Sequence, residues 1–406
     1  MSLLPVDQAL KIITESVTLL PVEKIHLAEA HGRVSAADHS AKLNQPPFNA
    51  SAMDGYAVCA ADLEKIPAHL EVIGEAPAGK LYEGTVAPGT AVRIFTGGAL
   101  PDGADSVVIQ ENTERPDDTT VIILKQPEYR QNIRKKGNDF LEGQTLLSAG
   151  QTLNARHIGM LAAANIAMIT VYKKPRVALL STGDELRAVG EDIGPGQIVN
   201  SNALLLANLI RENGGEVQDL GVARDNEISL REKVSAIKDV DLLLTIGGAS
   251  VGDHDIVQDI LVEMGLDVAF WKVAMRPGKP LIFGKFSPDS FDMPMFGLPG
   301  NPASAYVCAI NFLLPALHKM QGRKDIGLPV SQAILDHDLP ENGPRQHYMR
   351  AHYTENAEGL KIVRTTPSQD SAKLSTLAAS NCLLLRPPMA AAAPEGHRCP
   401  ILILKP

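Results

Sequence analysis

The sequence predicts a multidomain α/β plus β chain. A central three-layer α/β domain with a parallel or mixed sheet is expected beside an inserted β module and a C-terminal β-barrel-like domain. The first observation is length, because 406 residues are enough for about two to four domains. The second is that strand-like and helix-like patterns alternate from Pro175 to about Arg323. The third is that short apolar runs between Gly, Pro and Asp turns fill residues 50 to 150 and return after residue 327.

The first of these regions, the N-terminal one, is predicted to be helical and to be interrupted by the β module. Residues 1 to 20 have the pattern of an amphipathic helix, because Leu10, Ile13 and Val17 lie on one side of it. Helical spacing returns at residues 155 to 166. Between the two helices, five runs have the pattern of strands: YAVCA, LEVIG, AVRIF, SVVIQ and TVIIL. The β module is therefore interpreted as an insertion.

The central region has the alternating pattern of a wound α/β sheet. Three strands and two helices are predicted there, in the order strand 177 to 181, helix 200 to 215, strand 216 to 223, helix 228 to 238 and strand 241 to 246. Gly214 marks the end of the first helix. Alternation of this kind predicts a parallel or mixed sheet with crossover helices. Beyond it, short strands with one helix near residues 371 to 379 fit a small barrel or sandwich.

Composition and charge argue against several classes of protein. Acidic residues outnumber basic ones by 47 to 38, so no overall field attracts nucleic acid or anionic lipid, and we expect neither nucleic acid nor a membrane as a partner. The start lacks the pattern of a secretory signal, and the apolar run at residues 158 to 171 is too short for a membrane span and contains Asn165. Four cysteines without C-x-x-C spacing indicate reduced thiols. We therefore expect a cytoplasmic protein.

Three glycine- and proline-rich loops are the most informative part of the chain. They are TIGGASVGDHD (245 to 255), MRPGKPLIFG (275 to 284) and FGLPGNPASA (296 to 305). Each adjoins an apolar run, which indicates a turn at the end of a buried strand, where ligands of open α/β sheets bind. Glycines let backbone N–H groups approach an anion, and Arg276 and Lys279 add positive charge. Pro302 suits the first position of a helix capped by Asn301. Together the loops predict an anion pocket.

Acidic side chains follow strands of the same unit. Asp184 with Glu185, Asp225, and Asp253 with Asp255 all lie in loops after predicted strands. Their carboxylates are therefore expected to converge at the carboxyl edge of one sheet. Carboxylates beside an anion pocket suggest Mg²⁺ that bridges to phosphate oxygens. The alternative, that each residue caps a helix or forms a turn, stays open for any one of them.

The first loop also contains a motif of a different enzyme class. Gly248, Ser250 and Gly252 satisfy the G-x-S-x-G nucleophile elbow, and His254 is close in sequence, so a serine hydrolase is an alternative hypothesis. In such an elbow the helix begins directly behind the serine, whereas Gly252, Asp253 and His254 prolong the loop here. A triad histidine is also not expected so soon after the serine. We therefore interpret Ser250 as a hydrogen-bond donor to an anion.

Seven segments are spread over nearly the whole chain. They are SAMDGYA (51 to 57), RIFTGGALPDGADSVV (93 to 108), LLSTGDEL, GQIVNSNA, GGASVGDHD, RPGKP and GLPGNPAS. In this order and spacing they resemble the MoeA family of molybdopterin molybdenumtransferases, which is similar to the E domain of eukaryotic gephyrin. The resemblance implies a four-part, elongated subunit and a homodimer whose cleft combines elements of both subunits.

The resemblance also implies a reaction. Molybdate is inserted into the dithiolene of adenylylated molybdopterin, and the phosphoanhydride is cleaved to release AMP with Mg²⁺ present. Molybdate and adenylylated molybdopterin are then the substrates, Mg²⁺ is the cofactor, and the adenylyltransferase and recipient molybdoenzymes are further expected partners. The expected domains are an N-terminal helical and dimerisation domain at 1–45 and 140–174, an inserted β domain at 46–139, a molybdopterin-binding α/β domain at 175–326 and a C-terminal β-barrel domain at 327–406.

Roles for individual residues follow from the same resemblance. The positions expected to be catalytic are Asp54, Thr96, Glu185, Asp225 and Asp255. Of these, Asp225 and Asp255 are assigned to Mg²⁺ and phosphate, and Glu185 to the wall of the site. Arg276, Lys279 and Ser304 match positions that bind the oxyanion, and Pro299 and Pro302 shape the loop around them. Arg350 and Ser371 in the last domain resemble residues that face the cleft. Ser250 joins this binding set through the interpretation of its own loop. Many relatives have lysine where this chain has Arg276, which keeps the charge but binds bidentately.

Two further hypotheses stay open. A molybdopterin adenylyltransferase resembles the unit at residues 175 to 325 alone, so the β module and the C-terminal region disfavour it. A non-catalytic scaffold that keeps the dimeric fold and binds partners is disfavoured by the intact acidic and basic residues of the cleft.

Overall fold

The N-terminal region begins with the predicted helix. A computed structural model describes residues 3–248, 256–288 and 292–404 of the chain. Its first helix is shorter than residues 1 to 20, because the backbone is already extended at Val17. It buries Ala9 and Ile13 in the core of the α/β domain, as an amphipathic face requires. The first elements are α1 (Val6–Ser16), β1 (Val22–His26), β2 (His39–Ser40) and β3 (Ala50–Ser51).

The β module follows as one mixed six-stranded sheet. All five runs predicted as strands are strands, and the order across the sheet is β7-β4-β6-β5-β9-β8. Glycine is required at position 55, where β4 approaches β7 closely, because a Cβ there would lie 1.9 Å from the carbonyl oxygen of Val108 on the neighbouring strand. The strands are β4 (Gly55–Val58), β5 (Ala68–Ala76), β6 (Thr90–Ile94), β7 (Ser106–Ile109), β8 (Thr113–Glu114) and β9 (Thr120–Ile123).

The chain then returns beside its own start. The returning elements are β10 (Ile133–Arg134), β11 (Thr145–Leu147), α2 (Ala155–Ala163) and β12 (Met168–Tyr172). Strands β10, β11 and β12 pair antiparallel with β3, β2 and β1 respectively. The outgoing and returning segments therefore run side by side, and the β module is an insertion, as predicted. Helix α2 starts at a capping box in which Asn154 accepts from the backbone N–H of His157.

The central region forms the predicted alternation of strands and helices. The ends of its helices differ from the predicted ones by a few residues. A π-helical turn at Ala309–Leu313 joins the last two helices. The elements are β13 (Arg176–Thr182), β14 (Leu186–Arg187), β15 (Ile198–Val199), α3 (Ser201–Glu212), β16 (Glu216–Ala223), α4 (Glu227–Ser235), β17 (Leu242–Ile246), α5 (Ile256–Glu263), β18 (Leu266–Trp271), β19 (Met275–Arg276), β20 (Ile282–Phe286), β21 (Met293–Leu298), α6 (Pro302–Cys308) and α7 (Leu314–Met320).

The central sheet is mixed and buried on both faces. Its order is β16-β13-β17-β21-β20-β18, in which the first four strands are parallel and the last two are antiparallel to their neighbours. Alternate residues of one strand enter different cores: Val177 and Leu179 join the cluster that contains α3, α6 and α7, whereas Ala178 and Leu180 join the cluster that contains α4 and α5. This arrangement gives the predicted three layers.

The C-terminal region is a closed barrel. Its elements are β22 (Val330–Leu335), β23 (Gln346–Glu355), β24 (Lys361–Thr365), α8 (Leu374–Ala378), β25 (Cys382–Arg386) and β26 (Arg398–Ile403). The strand order β23-β24-β22-β26-β25 closes because β25 pairs back with β23. The short strand β19 of the α/β domain also adds in parallel to β23, so Arg276 is the register partner of His347. This pairing places the segment that carries Arg276 and Lys279, named here the cationic loop, directly against the barrel.

Two further findings concern the described part of the chain. None of the helices described there is long and apolar enough to cross a membrane. The four cysteines are free thiols, of which Cys308, Cys382 and Cys399 are buried.

Candidate active site

The predicted loops meet at one edge of the central sheet. Strands β13, β16, β17 and β21 are parallel, so their carboxyl ends lie at the same edge. Strand β20 runs antiparallel to β21, with Ile282 opposite Gly297, so its beginning lies at that edge as well. For this reason the loop before β20, which carries Lys279, joins the loops that follow the parallel strands.

A cavity of about 840 Å³ opens at this edge. Its lining includes Glu185 and Asp225 from two of the acidic loops, and Pro299 and Pro302 from the third glycine-rich loop. The beginning of α3 contributes further polar side chains, including Asn202. A volume of this size suits a ligand larger than a single oxyanion.

The acidic residues of the cavity are electrostatically coupled. Burial and, after it, the negative charges of Asp184 and Glu185 raise the pKa of Asp225, while a hydrogen bond from the backbone N–H of Asp184 acts in the opposite direction. Gly183 lets Glu185 fold back, because a Cβ on this glycine, at φ +147°, would lie 2.6 Å from Glu185 Oε2. Among the described residues none of the three carboxylates forms an ion pair. The cluster therefore carries uncompensated negative charge.

The donor chemistry of this cluster fits a hard cation in part. Across the ranges that the structure describes, no three His, Cys, Asp or Glu side chains form a ready metal cluster. Mg²⁺ does not require one, because it usually keeps several waters and takes one or two carboxylates together with substrate phosphates. Asp225 and Glu185 meet that requirement.

Several predicted residues of the first loop lie outside the described residues. They are Ser250, Asp253, His254 and Asp255. The described part of the helix that follows them, α5, spans Ile256–Glu263.

The third loop holds the beginning of α6. Pro302 occupies the first helical position and Asn301 the cap position, although the Asn301 side chain makes no capping hydrogen bond. The preceding Gly300 carbonyl oxygen accepts a hydrogen bond of 2.6 Å from Asn202 Nδ2. The Ala303 N–H donates to the carbonyl oxygen of Ser371 at 3.0 Å, which links α6 to the C-terminal region. Ser304 is buried in the first turn of this helix.

The cationic loop is held tightly against α6. Gly278 has φ +99°, and a Cβ there would lie 2.4 Å from Cys308 Sγ. The Cys308 thiol donates to the Gly278 carbonyl oxygen at 3.5 Å. In the part of the chain that is described, neither Arg276 nor Lys279 pairs with a carboxylate. Both charges therefore remain available to an anion.

Arg350 is the largest fully buried side chain among the residues that the structure describes. Its Nη2 donates to the carbonyl oxygen of Asp370 at 3.2 Å. Its Nε and Nη1 have no hydrogen-bond partner among the residues described. Burial lowers the pKa of Arg350, the Asp370 charge raises it, and the Arg276 charge lowers it. Arg350 and Arg276 thus belong to one electrostatic neighbourhood.

The β module brings Asp54 and Thr96 together. Asp54 Oδ1 accepts hydrogen bonds from the Thr96 backbone N–H at 2.7 Å and from its hydroxyl at 2.8 Å. The backbone bond is the main cause that lowers the pKa of Asp54, so this carboxylate is charged at neutral pH. Neither residue is among those that line the cavity of its own chain.

Sequence reasoning missed two sets of polar residues. Asn200 and Asn202 line the cavity and hold its walls, and Asn200 Nδ2 donates to Ser181 Oγ at 2.9 Å. Their segment, GQIVNSNA, is one of the seven segments of the resemblance, but an asparagine at the start of a helix is expected to be a cap and not part of a site. His347 and Arg386, buried beside Arg350 in the barrel, had no signal in the sequence.

Comparisons with known proteins agree along the chain. The family model described as "MoeA N-terminal region (domain I and II)" matches residues 4–165, "Probable molybdopterin binding domain" matches 178–319 and "MoeA C-terminal region (domain IV)" matches 332–404. The chain is 39% identical over 372 residues to the molybdopterin molybdenumtransferase of Nostoc sp., which covers 90% of this chain and 85% of the relative. It is 36% identical over 386 residues to that of Haemophilus influenzae, with 94% of each chain covered.

A solved structure shows the same architecture. The crystal structure of the molybdopterin biosynthesis moeA protein from Pyrococcus horikoshii OT3 has a TM-score of 0.82 and 29% identity, with 99% of this chain and 100% of that chain covered. The sequence relatives and this structure agree with the resemblance drawn from the seven segments. The chain belongs to the MoeA family of molybdopterin molybdenumtransferases.

Proposed function

We propose that the chain acts in molybdenum cofactor biosynthesis, where it inserts molybdate into adenylylated molybdopterin and releases AMP. One observation supports this reaction above others. Among the described residues, Asp225 and Glu185 line a cavity at one sheet edge and form no ion pair, and the cations Arg276, on β19, and Lys279, on the loop before β20, pair with no carboxylate. A substrate that contains a phosphoanhydride and a co-substrate that is a tetrahedral oxyanion need both kinds of group at one site.

The cations act on molybdate. Arg276 presents a planar guanidinium that can donate two hydrogen bonds to neighbouring oxygens, whereas Lys279 supplies a compact charge. Arg350 is fixed by its bond to the Asp370 carbonyl, and its two remaining nitrogens are buried without partners in the described structure. The Ser304 and Ser371 hydroxyls are assigned as further donors, and Pro299 and Pro302 shape the loop around them.

The carboxylates act on the nucleotide part. Asp225 and Asp255, the latter from the glycine-rich loop after β17, are assigned as the residues that would hold Mg²⁺, and Glu185 forms the wall of the site. The ion would supply positive charge against the phosphate oxygens. Without a cation, the Asp184, Glu185 and Asp225 charges repel one another and would repel the phosphates. Two Mo–S bonds form at the dithiolene as one oxygen of molybdate takes the two thiol protons and leaves as water. A water molecule hydrolyses the phosphoanhydride bond, which gives AMP and leaves the terminal phosphate on the product.

Asp54 and Thr96 are proposed to serve the cavity of a second copy of the chain. They form a charged, preorganised pair on the β module, but they do not line the cavity of their own chain. A homodimer in which the β module of one subunit reaches the α/β domain of the other places them at a site. The protein is proposed to work in the cytoplasm, with the adenylyltransferase and recipient molybdoenzymes as transient partners.

The adenylyltransferase alternative is not favoured. It accounts for the central unit, whereas family models for the N-terminal and C-terminal MoeA regions match the remaining chain. The serine hydrolase alternative is disfavoured because the sequence after Ser250, with Gly252, Asp253 and His254, favours a longer loop where a nucleophile elbow has the start of a helix. A pure scaffold has no need for coupled carboxylates in a cavity.

The test is a defined reaction. Purified protein is incubated with adenylylated molybdopterin, Mg²⁺ and molybdate, and AMP and metallated cofactor are measured. We expect Asp225→Asn to abolish AMP release and Lys279→Ala to raise the molybdate concentration needed for half-maximal rate. Glu232→Gln, which removes an exposed charge from α4, serves as the control and should keep full activity. ATP consumption with plain molybdopterin would instead support the adenylyltransferase.

A further inference from the structure

A second cluster of buried nitrogen donors lies at one end of the C-terminal barrel. His347 on β23 and Arg386 on β25 are register partners, and they are only 7% and 4% exposed. Two positions away on each strand, Leu384 belongs to the barrel core and Met349 packs against it, so His347 and Arg386 lie on the interior side of the sheet. His347 Nε2 and Arg386 Nη1 have no hydrogen-bond partner within the described residues. Two buried nitrogens are therefore left unsatisfied side by side.

The electrostatic surroundings of this pair are positive. Burial lowers the pKa of His347 to about 4, and the charges of Arg276, Arg350, Arg345 and Arg386 act in the same direction. The imidazole is thus neutral at neutral pH and can donate one N–H. Unpaired cations are costly to bury, and a bound anion is the partner that offsets this cost.

The guanidinium of Arg386 is oriented by the backbone. Its Nη2 donates to the carbonyl oxygens of Pro340 and Ala391, which leaves Nη1 directed elsewhere. Asn342 Nδ2 donates to the carbonyl oxygens of both Arg345 and Arg386, at 3.0 and 3.2 Å, and so holds the two arginine-bearing segments together. In the described ranges the half-buried Arg345 side chain forms no ion pair. The cluster is preorganised for binding.

We propose that His347, Arg386 and Arg345 form a second oxyanion subsite, which takes a small tetrahedral oxyanion of the class of molybdate, tungstate, sulfate or phosphate. Arg386 and Arg345 supply charge and paired N–H donors, and His347 supplies one neutral N–H. Arg276, the register partner of His347, adds its charge to the surroundings of this subsite and belongs to the segment that carries Lys279 in the α/β domain. The inference rests on the proposed function only for the role of that first pocket.

The alternative interpretation is an ordered water molecule between His347 and Arg386. A water would satisfy both nitrogens, but it would leave the four surrounding positive charges without a counterion. The two interpretations differ in whether the cluster binds a dianion at neutral pH.

The test is the stoichiometry of oxyanion binding to the full-length chain. Tungstate is titrated by calorimetry at pH 7, and crystals soaked in tungstate are examined by anomalous scattering. We expect two tungstate ions per chain, one near Lys279 and one between His347 and Arg386. Arg345→Gln and His347→Gln should each weaken the second site by about tenfold or more, which corresponds to the loss of one charge-assisted hydrogen bond.

Matched variants separate this inference from the proposed function. Arg398→Gln removes an exposed arginine of the same barrel and should leave both sites intact. Lys279→Ala should weaken only the first site. A single tungstate that is lost in Lys279→Ala would refute the second subsite and leave the proposed function standing. Two sites that are both insensitive to Lys279→Ala would refute the assigned molybdate pocket instead.

Arg386 needs a separate variant, because its guanidinium also holds the loop after β25. Arg386→Lys keeps the positive charge but loses the second guanidinium nitrogen. We expect weaker tungstate binding at the second site and an unchanged melting temperature. Competition by sulfate or phosphate for the tungstate at the second site shows whether that site accepts other tetrahedral oxyanions. Displacement at the second site by either anion supports a general oxyanion subsite, and full retention of tungstate in Arg345→Gln and His347→Gln overturns the proposal.

Discussion

Gly278 lies between Arg276 and Lys279 in the cationic loop, and its substitution tests how that loop is held in place. Its φ of +99° is one that L side chains rarely adopt. A Cβ there would lie 2.4 Å from Sγ of Cys308, a fully buried thiol on α6. Alanine would therefore strain the backbone and overpack the core at the same position.

The expected magnitude can be worked from these two effects. A left-handed conformation costs a non-glycine residue about 1–2 kcal/mol. Overpacking of a tight core typically costs about 1–3 kcal/mol. We therefore expect Gly278→Ala to lower the free energy of unfolding by about 2–5 kcal/mol. In the double variant Gly278→Ala/Cys308→Ala, the clash between the new Cβ and the Cys308 sulfur is relieved and the φ strain remains. The double variant should therefore be more stable, by about 1–3 kcal/mol, than the sum of the two single destabilisations predicts.

The assay is urea unfolding followed by the fluorescence of Trp271, the single tryptophan, which lies in the α/β domain. Gly300→Ala is the matched control, because a Cβ at this loop glycine meets no atom within 4 Å. It should change the free energy of unfolding by less than about 0.5 kcal/mol. Strict additivity of Gly278→Ala and Cys308→Ala, or a Gly278→Ala protein as stable as the wild type, would refute the reasoning.

Three further predictions concern charge and close packing. Asp225→Asn should raise the free energy of unfolding at pH 7, because the raised pKa of Asp225 means that its charged form is disfavoured in the folded state. This gain should vanish at a pH below the usual pKa of an aspartate. Urea unfolding at both pH values checks this, with Glu232→Gln as the control. Burial lowers the pKa of His347 from 6.5 to about 4, so the free energy of unfolding should fall by up to roughly 3 kcal/mol as the pH drops from 6.5 to about 4. A His347→Gln protein whose free energy of unfolding falls equally steeply over this pH range would contradict the prediction. Gly55→Ala should destabilise the β module by about 3 kcal/mol or more, because its Cβ would lie 1.9 Å from the Val108 carbonyl oxygen; retention of the wild-type melting temperature would rule this out.

The elements of the fold were largely predictable from local pattern. The runs that became β13 and β17 are largely continuous and apolar, because a parallel strand covered on both faces needs apolar residues on each side. The insertion of the β module followed from a change of periodicity and its return. Helix ends were less certain, because fraying and capping depend on neighbours that the sequence does not identify.

The loops of the site were predictable, but their relations were not. Glycine and proline at residues 275 to 284 and 296 to 305 indicate turns without reference to the rest of the chain. That the cationic loop reaches the carboxyl edge depends on β20 running antiparallel to β21. Such pairing is a long-range property, and no local pattern encodes the direction of a strand.

The sequence by itself determined the family, the alternation of strands and helices, and the residue types of an anion pocket, because each depends on local composition and order. Only the tertiary structure decided that Arg350 is completely buried, that Asp225 shares the field of Asp184 and Glu185, and that His347 faces Arg386. Burial and charge coupling depend on segments far apart in the chain, and these meet only when the barrel and the central sheet have formed.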